Sequence, residues 1–196
     1  MDRSELRSLV RAKRQALSDV AQHQASLSLS KRLQKLPSFI QAKRVAFYLA
    51  NDGEISPEQA LKYSRRKGQS VLLPCLTSRK SLEFRRYEGP NHLSKNRYGI
   101  PEPSIRCSSA SLTDIDVILM PLVAFDRSGN RLGMGGGFYD RTLSRSPKHG
   151  NTHPLLIGLA HHCQELPTIA TESWDIPLHY IVTDKHTIKV PCATKP

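Results

Sequence analysis

The chain has 196 residues, 38% of them hydrophobic and 23% charged, with a net charge of +12; that is enough apolar content for one ordinary core and argues against wholesale disorder. No apolar run approaches the roughly 20 residues of a membrane-spanning helix, and Met1-Asp-Arg-Ser-Glu5 lacks the apolar centre of a secretion signal, so a cytoplasmic protein with no membrane partner is expected. The cationic excess suits nucleic acid, an anionic surface or a polyanionic small molecule.

In chain order, Ser4 to Leu17 is predicted to be helical. Leu6, Leu9, Val10 and Leu17 share one stripe, and Arg3, Arg7, Arg11 and Arg14 form a basic face beside it. That face reads either as a solvated surface or as an anion clamp. Residues 1–44 hold ten Lys or Arg against three Asp or Glu, so much of the positive charge sits here. Ser18-Asp19 caps a second helix, with Gln22 near the capping-box position; it carries Leu29, Leu33 and Leu36 and stops before Pro37. Arg44 to Ala50 reads as a strand and Asn51 to Pro57 as a loop. A helix starts at Ser56-Pro57 and ends at Gly68, and a strand follows at Val71 to Pro74. The strand–helix–strand order implies a parallel crossover.

Leu82 to Tyr87 is expected to be an antiparallel arm, and Tyr98 to Pro103 an ordered loop. Asp116 to Phe125 is apolar and rich in β-branched residues, the pattern of a buried strand. Ser144 to Pro154 is polar and reads as a mobile surface loop. Leu155–Ala160, His179–Asp184 and Thr187–Val190 are the last strands. This alternation predicts an α/β fold: one domain over residues 1–196, three α/β/α layers around a mostly parallel central sheet. Ligands of such sheets bind beyond the carboxyl ends of the strands. The loops 51–56 and 126–140 and the segment after residue 160 fall there.

The densest motif is Arg131-Leu-Gly-Met-Gly-Gly-Gly-Phe-Tyr-Asp140. Glycine backbone lets N–H groups converge on an anion, and the start of a helix adds partial positive charge. Arg131 adds a fork of donors for phosphate oxygens, and Asp140 a hard oxygen for Mg²⁺. The alternative is an unspecialised glycine loop. No Lys follows the glycines, so the P-loop pattern is absent, and the dinucleotide fingerprint is misaligned. Cys75, Cys107, Cys163 and Cys192 form no CxxC pair and read as idle thiols. His161-His162-Cys163 has no second cluster to complete a tetrahedral metal site.

Read together, Asn51-Asp-Gly-Glu-Ile55, Tyr98-Gly-Ile-Pro-Glu-Pro103, Pro121-Leu-Val-Ala-Phe-Asp126, Arg131 to Arg141 and Trp174-Asp-Ile-Pro-Leu178 resemble the 5-formyltetrahydrofolate cyclo-ligase family, nearly end to end and in the family's order. The resemblance implies a monomeric folate-cycle enzyme that uses ATP and Mg²⁺ to turn 5-formyltetrahydrofolate into 5,10-methenyltetrahydrofolate, ADP and phosphate. It implies that Arg131, Leu132, Gly133, Met134, Gly135, Gly136, Gly137, Phe138 and Tyr139 bind ATP, with Met134 to Tyr139 also bordering the substrate. Asp140 and Asp175 would hold Mg²⁺, and Leu49 and Glu54 would contact the folate. Arg3 and Arg7 would meet ATP from the first helix; relatives carry Lys where this chain has Arg3. Tyr98 is a further candidate for the folate pocket, and Trp174 reads as a core or rim anchor. Two other readings compete. A nucleic-acid module is disfavoured by 6% aromatic content and the lack of a stacking platform. A sugar-phosphate or coenzyme-A enzyme on a similar frame is opposed by Asp140, Asp175 and Glu54.

Overall fold

The computed structural model describes residues 2–78, 80–144, 154–172 and 174–191. The chain begins with a capping box. The Asp2 carboxylate accepts from the Ser4 and Glu5 N–H groups, and Glu5 accepts from the Asp2 N–H, which starts helix α1 (Arg3–Gln15). Ser18 caps α2 (Asp19–Leu33) by accepting from the Ala21 N–H. The short α3 (Pro37–Gln41) follows. The predicted second helix ends earlier than expected, at Leu33, and Leu36 serves as the cap of α3.

Strand β1 (Arg44–Ala46), helix α4 (Glu58–Arg66) and β2 (Ser70–Leu76) make the expected unit, with β1 and β2 parallel. The predicted strand 44–50 is cut to three residues, and Tyr48 instead turns its hydroxyl to the Ile55 carbonyl at 2.6 Å. β3 (Leu82–Arg86) runs antiparallel to β2. Between β3 and the second half come β4 (Leu93–Lys95), β5 (Pro101–Pro103) and β6 (Ser109–Ala110). β4 and β5 pair with each other, and β6 pairs with β3.

The expected strand 116–125 is two elements. β7 (Val117–Pro121) lies in the main sheet. β8 (Ala124–Phe125) leaves it and pairs with β9 (Arg131–Leu132) in a separate hairpin. Pro121 has no N–H with which to continue a ladder, and the chain changes partner there: Leu122 N–H still donates to Leu159, but Val123 N–H donates to Leu132. Helix α5 (Phe138–Leu143), β10 (Leu155–Ala160), β11 (Tyr180–Thr183) and β12 (Thr187–Lys189) complete the described elements. The expected loop 144–154 falls almost wholly outside the described residues.

The main sheet has the order β12–β11–β10–β7–β1–β2–β3–β6. Its five inner strands are parallel; β12 and β3 run antiparallel to them on either side, and β6 pairs antiparallel with β3 at the edge. Alternation along β7 divides the core: Val117 and Leu119 face the layer built on Leu29, Leu33, Phe39 and Leu61 of α2–α4, while Ile118 and Met120 face the layer holding Leu143 of α5. This is the α/β architecture the sequence predicts. Helix α1 packs elsewhere, laying Val10 and Leu6 on Val123, Ala124 and Leu132 of the hairpin. Leu9 of the predicted stripe is largely exposed. No helix among the described residues is long and apolar enough to cross a membrane.

Candidate functional site

A cavity of about 570 Å³ opens at the carboxyl ends of β1, β2 and β7, where Leu49, Leu76 and Leu122 line it. The glycine segment forms one wall. Gly135 and Gly137 have φ of +91° and +60°, left-handed conformations that side-chain-bearing residues rarely adopt. Among the described residues, none of the five N–H groups of residues 133–137 donates a hydrogen bond within the protein. The carbonyls are engaged instead: Arg7 Nε donates to Gly133 at 2.8 Å, and Arg141 donates to Gly136. The loop thus spends its acceptors on arginines and keeps its donors for the cavity or solvent. Because α5 has only six residues, its dipole adds little.

Arg3, Arg7 and Arg131 line the same cavity. Arg131 is 8% exposed, donates to the Ile176 carbonyl and pairs with Asp140. Burial pulls its guanidinium below the ordinary arginine range, while Asp140 and Asp175 oppose that shift. Arg3 donates to the Ala170 carbonyl at 3.2 Å and lies 3.6 Å from Asp175.

Both predicted metal ligands reach this cavity, although Asp140 and Asp175 stand 35 positions apart in sequence. Asp140 Oδ1 takes the Arg131 contact and a 3.4 Å approach from the Ile176 N–H; Asp175 Oδ2 accepts from the Glu172 N–H at 3.0 Å. Among the described residues, Asp140 Oδ2 and Asp175 Oδ1 make no hydrogen bond. Two hard oxygens remain available beside a phosphate-type cradle. That donor set fits Mg²⁺, which takes one or two carboxylates and completes its shell with water and phosphate.

On another wall, Glu54 is half-buried and accepts from the Asn51 N–H at 3.1 Å. Burial pushes its carboxyl up to about 7, against the lowering effects of that bond and of Arg14. Burial also raises the Tyr139 hydroxyl, with Glu54 adding to the shift. Loop 51–54, which carries Glu54, is tied to α1 by an ionic knot at Asp52. Asp52, at φ 53°, accepts from Arg11 at 2.7 Å and from fully buried Arg14 at 2.8 Å, and Arg11 chiefly holds its carboxyl down at about 2.

The basic face expected on α1 therefore divides. Arg3 and Arg7 face the cavity, and Arg11 and Arg14 are fastened to loop 51–54, so the face is not simply solvated. Of the predicted site residues, all line the cavity except Leu132. Leu132 is fully buried against Val10 and Val123, because alternation along β9 turns it away from its neighbour Arg131. Tyr98 lines the wall with its ring edge-on to Phe138 at 6.2 Å, and Trp174 stands on the rim, 65% exposed. Tyr48, Asp52, Asn96 and Met120 also line the cavity and escaped the sequence reading. Asp52 sits inside the quoted Asn51–Ile55 motif, so it alone carried a signal.

The sequence profile of the 5-formyltetrahydrofolate cyclo-ligase family matches residues 1–184. A 5-formyltetrahydrofolate cyclo-ligase of Haemophilus influenzae is 38% identical over 183 residues, covering 92% of this chain and 96% of that protein. One from Escherichia coli is 39% identical over 178 residues, covering 89% and 96%. The solved structure of a 5,10-methenyltetrahydrofolate synthetase of Aquifex aeolicus superimposes with a TM-score of 0.85 at 31% identity, covering all of this chain and 96% of that one.

Proposed function

The chain belongs to the 5-formyltetrahydrofolate cyclo-ligase family and is a ligase of that kind, and from this premise we propose that it closes 5-formyltetrahydrofolate to 5,10-methenyltetrahydrofolate with ATP as co-substrate. The observation that carries the proposal is the run of unpaired amides at residues 133–137, ringed by Arg3, Arg7 and Arg131 in the same cavity as Glu54. Fixed N–H donors and guanidinium groups are what a triphosphate requires, and no reorganisation is needed as charge develops. Leu132 contributes by anchoring the hairpin through its buried side chain, which does not reach the cavity.

An N5 formamide is a poor electrophile and its oxygen a poor leaving group. In the proposed reaction the formyl oxygen takes the γ-phosphoryl group, releasing ADP. N10 then attacks the activated carbon and the ring closes; N10 gives up its proton to solvent, and the carbon–oxygen bond breaks with loss of phosphate. Arg131 stabilises charge on the transferring group, while Arg3 and Arg7 orient the remaining phosphates. Asp140 and Asp175 would hold Mg²⁺, whose charge would neutralise phosphate oxygens when bound. Glu54 accepts from the N–H edge of the pterin, with Leu49, Phe138 and Tyr139 enclosing it.

A second cavity of about 250 Å³ shares Tyr48 and Leu49 with the first and is lined by Glu58, Lys62 and Arg65 of α4; Lys62 pairs with Glu58 at 2.7 Å, which leaves Arg65 as its uncompensated cation. Its charge supports binding of the folate's glutamate tail there. The direct assay follows absorbance of the methenyl product from 5-formyltetrahydrofolate. Product that appears only with both ATP and Mg²⁺ is the expected result; ATP-independent turnover, or none under any condition, would reject the proposal.

A further inference from the structure

Outside this cavity, one group among the described residues brings three metal-ligand side chains together. The ligand atoms of Glu88, His92 and Cys107 all lie within 4.8 Å of one another, and none of the three lines either cavity. Their backbone is fixed independently of any ion. β6 pairs with β3, the Arg86 N–H donates to Ser108 at 2.9 Å, and the Ser104 N–H donates to His92 at 2.9 Å. Arg85 also donates to the Cys107 carbonyl at 3.0 Å. The loop from 88 to 107 is thus closed at its base, with the three side chains at the closure.

We propose that Glu88, His92 and Cys107 form a zinc site that clasps the two ends of the strap 93–106. A thiolate, an imidazole and a carboxylate form a mixed set suited to Zn²⁺ and unlike the all-oxygen shells of Mg²⁺ or Ca²⁺. With neutral His92, the two anionic ligands balance the ion's charge. Three protein ligands leave a fourth position for water. Tetrahedral zinc places such ligand atoms roughly 3.3–3.6 Å apart. His92 Nδ1 and Glu88 Oε2 stand 4.0 Å apart, too far for a hydrogen bond and close enough to shut onto an ion. Their side chains are 55% and 44% exposed, so an ion enters from solvent, while Cys107 is buried and presents sulfur from the inside. The strap carries Asn96, Tyr98 and Ile100 into the wall of the main cavity. Clasping its ends therefore holds that wall in place. Cys107 is on this view a ligand, not the idle thiol its spacing suggests.

The test is a titration of the full chain, purified metal-free under reducing conditions, with Co²⁺ as a spectroscopic substitute for Zn²⁺. One equivalent should bind with a thiolate-to-cobalt charge-transfer band and be displaced by Zn²⁺. The band separates this site from the carboxylates Asp140 and Asp175. It should vanish in Cys107→Ser and persist in Cys163→Ser. In His92→Ala, affinity should drop at least about tenfold, the lower end of what losing even an outer-shell partner does. His92 is exposed, so that variant decides the matter even if Cys107→Ser, at a buried position, does not fold. No thiolate band in the unaltered chain, a band that survives Cys107→Ser, or affinity indifferent to His92→Ala would overturn the proposal.

Discussion

Glu54 is the residue whose chemistry depends most on where the fold puts it. Its carboxyl rises from an ordinary value of 4.5 to about 7, mainly through burial. The native state therefore takes up a proton that the unfolded chain releases. The resulting stabilisation is complete below pH 4.5 and is lost as pH rises through about 7. Glu54→Gln should flatten the fall in stability between those values, measured by urea unfolding at a series of pH values. The same variant should weaken folate binding at pH 8 with little change in KM for ATP; an ATP-side defect alone would misplace Glu54. Arg131→Ala should lower kcat by roughly a thousandfold, as expected for removing a cation that stabilises phosphoryl transfer. Turnover within a few-fold of the unaltered enzyme would deny Arg131 that role.

Beside the apolar contact of Val10 and Leu6 with the hairpin, the polar fastening of α1 converges on one carboxylate. Asp52 receives Arg11, Arg14 and Gln15 from α1, and Arg14 also donates to the Asp52 and Leu122 carbonyls. Asp52→Ala leaves Arg14 buried without its counter-charge and should cost about 3 kcal/mol, the low end for breaking a buried pair because two carbonyl acceptors remain. Urea denaturation measures this, and a loss under about 1 kcal/mol would show that the knot does not fasten the helix. Helices and long apolar strands were legible in the sequence because periodicity and caps are local signals: α1, α4, β2 and β10 lie close to their expected bounds. The break between β7 and β8 had one local sign, Pro121, but Ala124 and Phe125 are as apolar as Val117 to Met120, so the pattern of hydrophobicity runs through it unbroken. β4, β5 and β6 are short and polar and carry no period to read.

Across the whole molecule, the positive charge of the chain is distributed by task. The glycine loop, Arg3, Arg7, Asp140 and Asp175 could be named from motif and resemblance, and the fold gathers them on one cavity. The fates of Arg11 and Arg14 could not, since nothing local distinguishes an arginine aimed at a ligand from one aimed at Asp52. Arg65, stacked 5.5 Å from the Tyr87 ring centroid beside the second cavity, belongs to the same distribution. Arg65→Ala should raise KM for a polyglutamylated folate several-fold more than for the monoglutamate, since it removes about one cation's attraction for the tail; equal effects on both would detach the second cavity from the substrate. The most direct test of the central claim is an amide NMR titration with a non-hydrolysable ATP analogue and Mg²⁺. The account predicts that the largest shifts fall on the N–H groups of Gly133, Gly135, Gly136 and Gly137. Saturable binding that leaves those four resonances in place while moving others would contradict it.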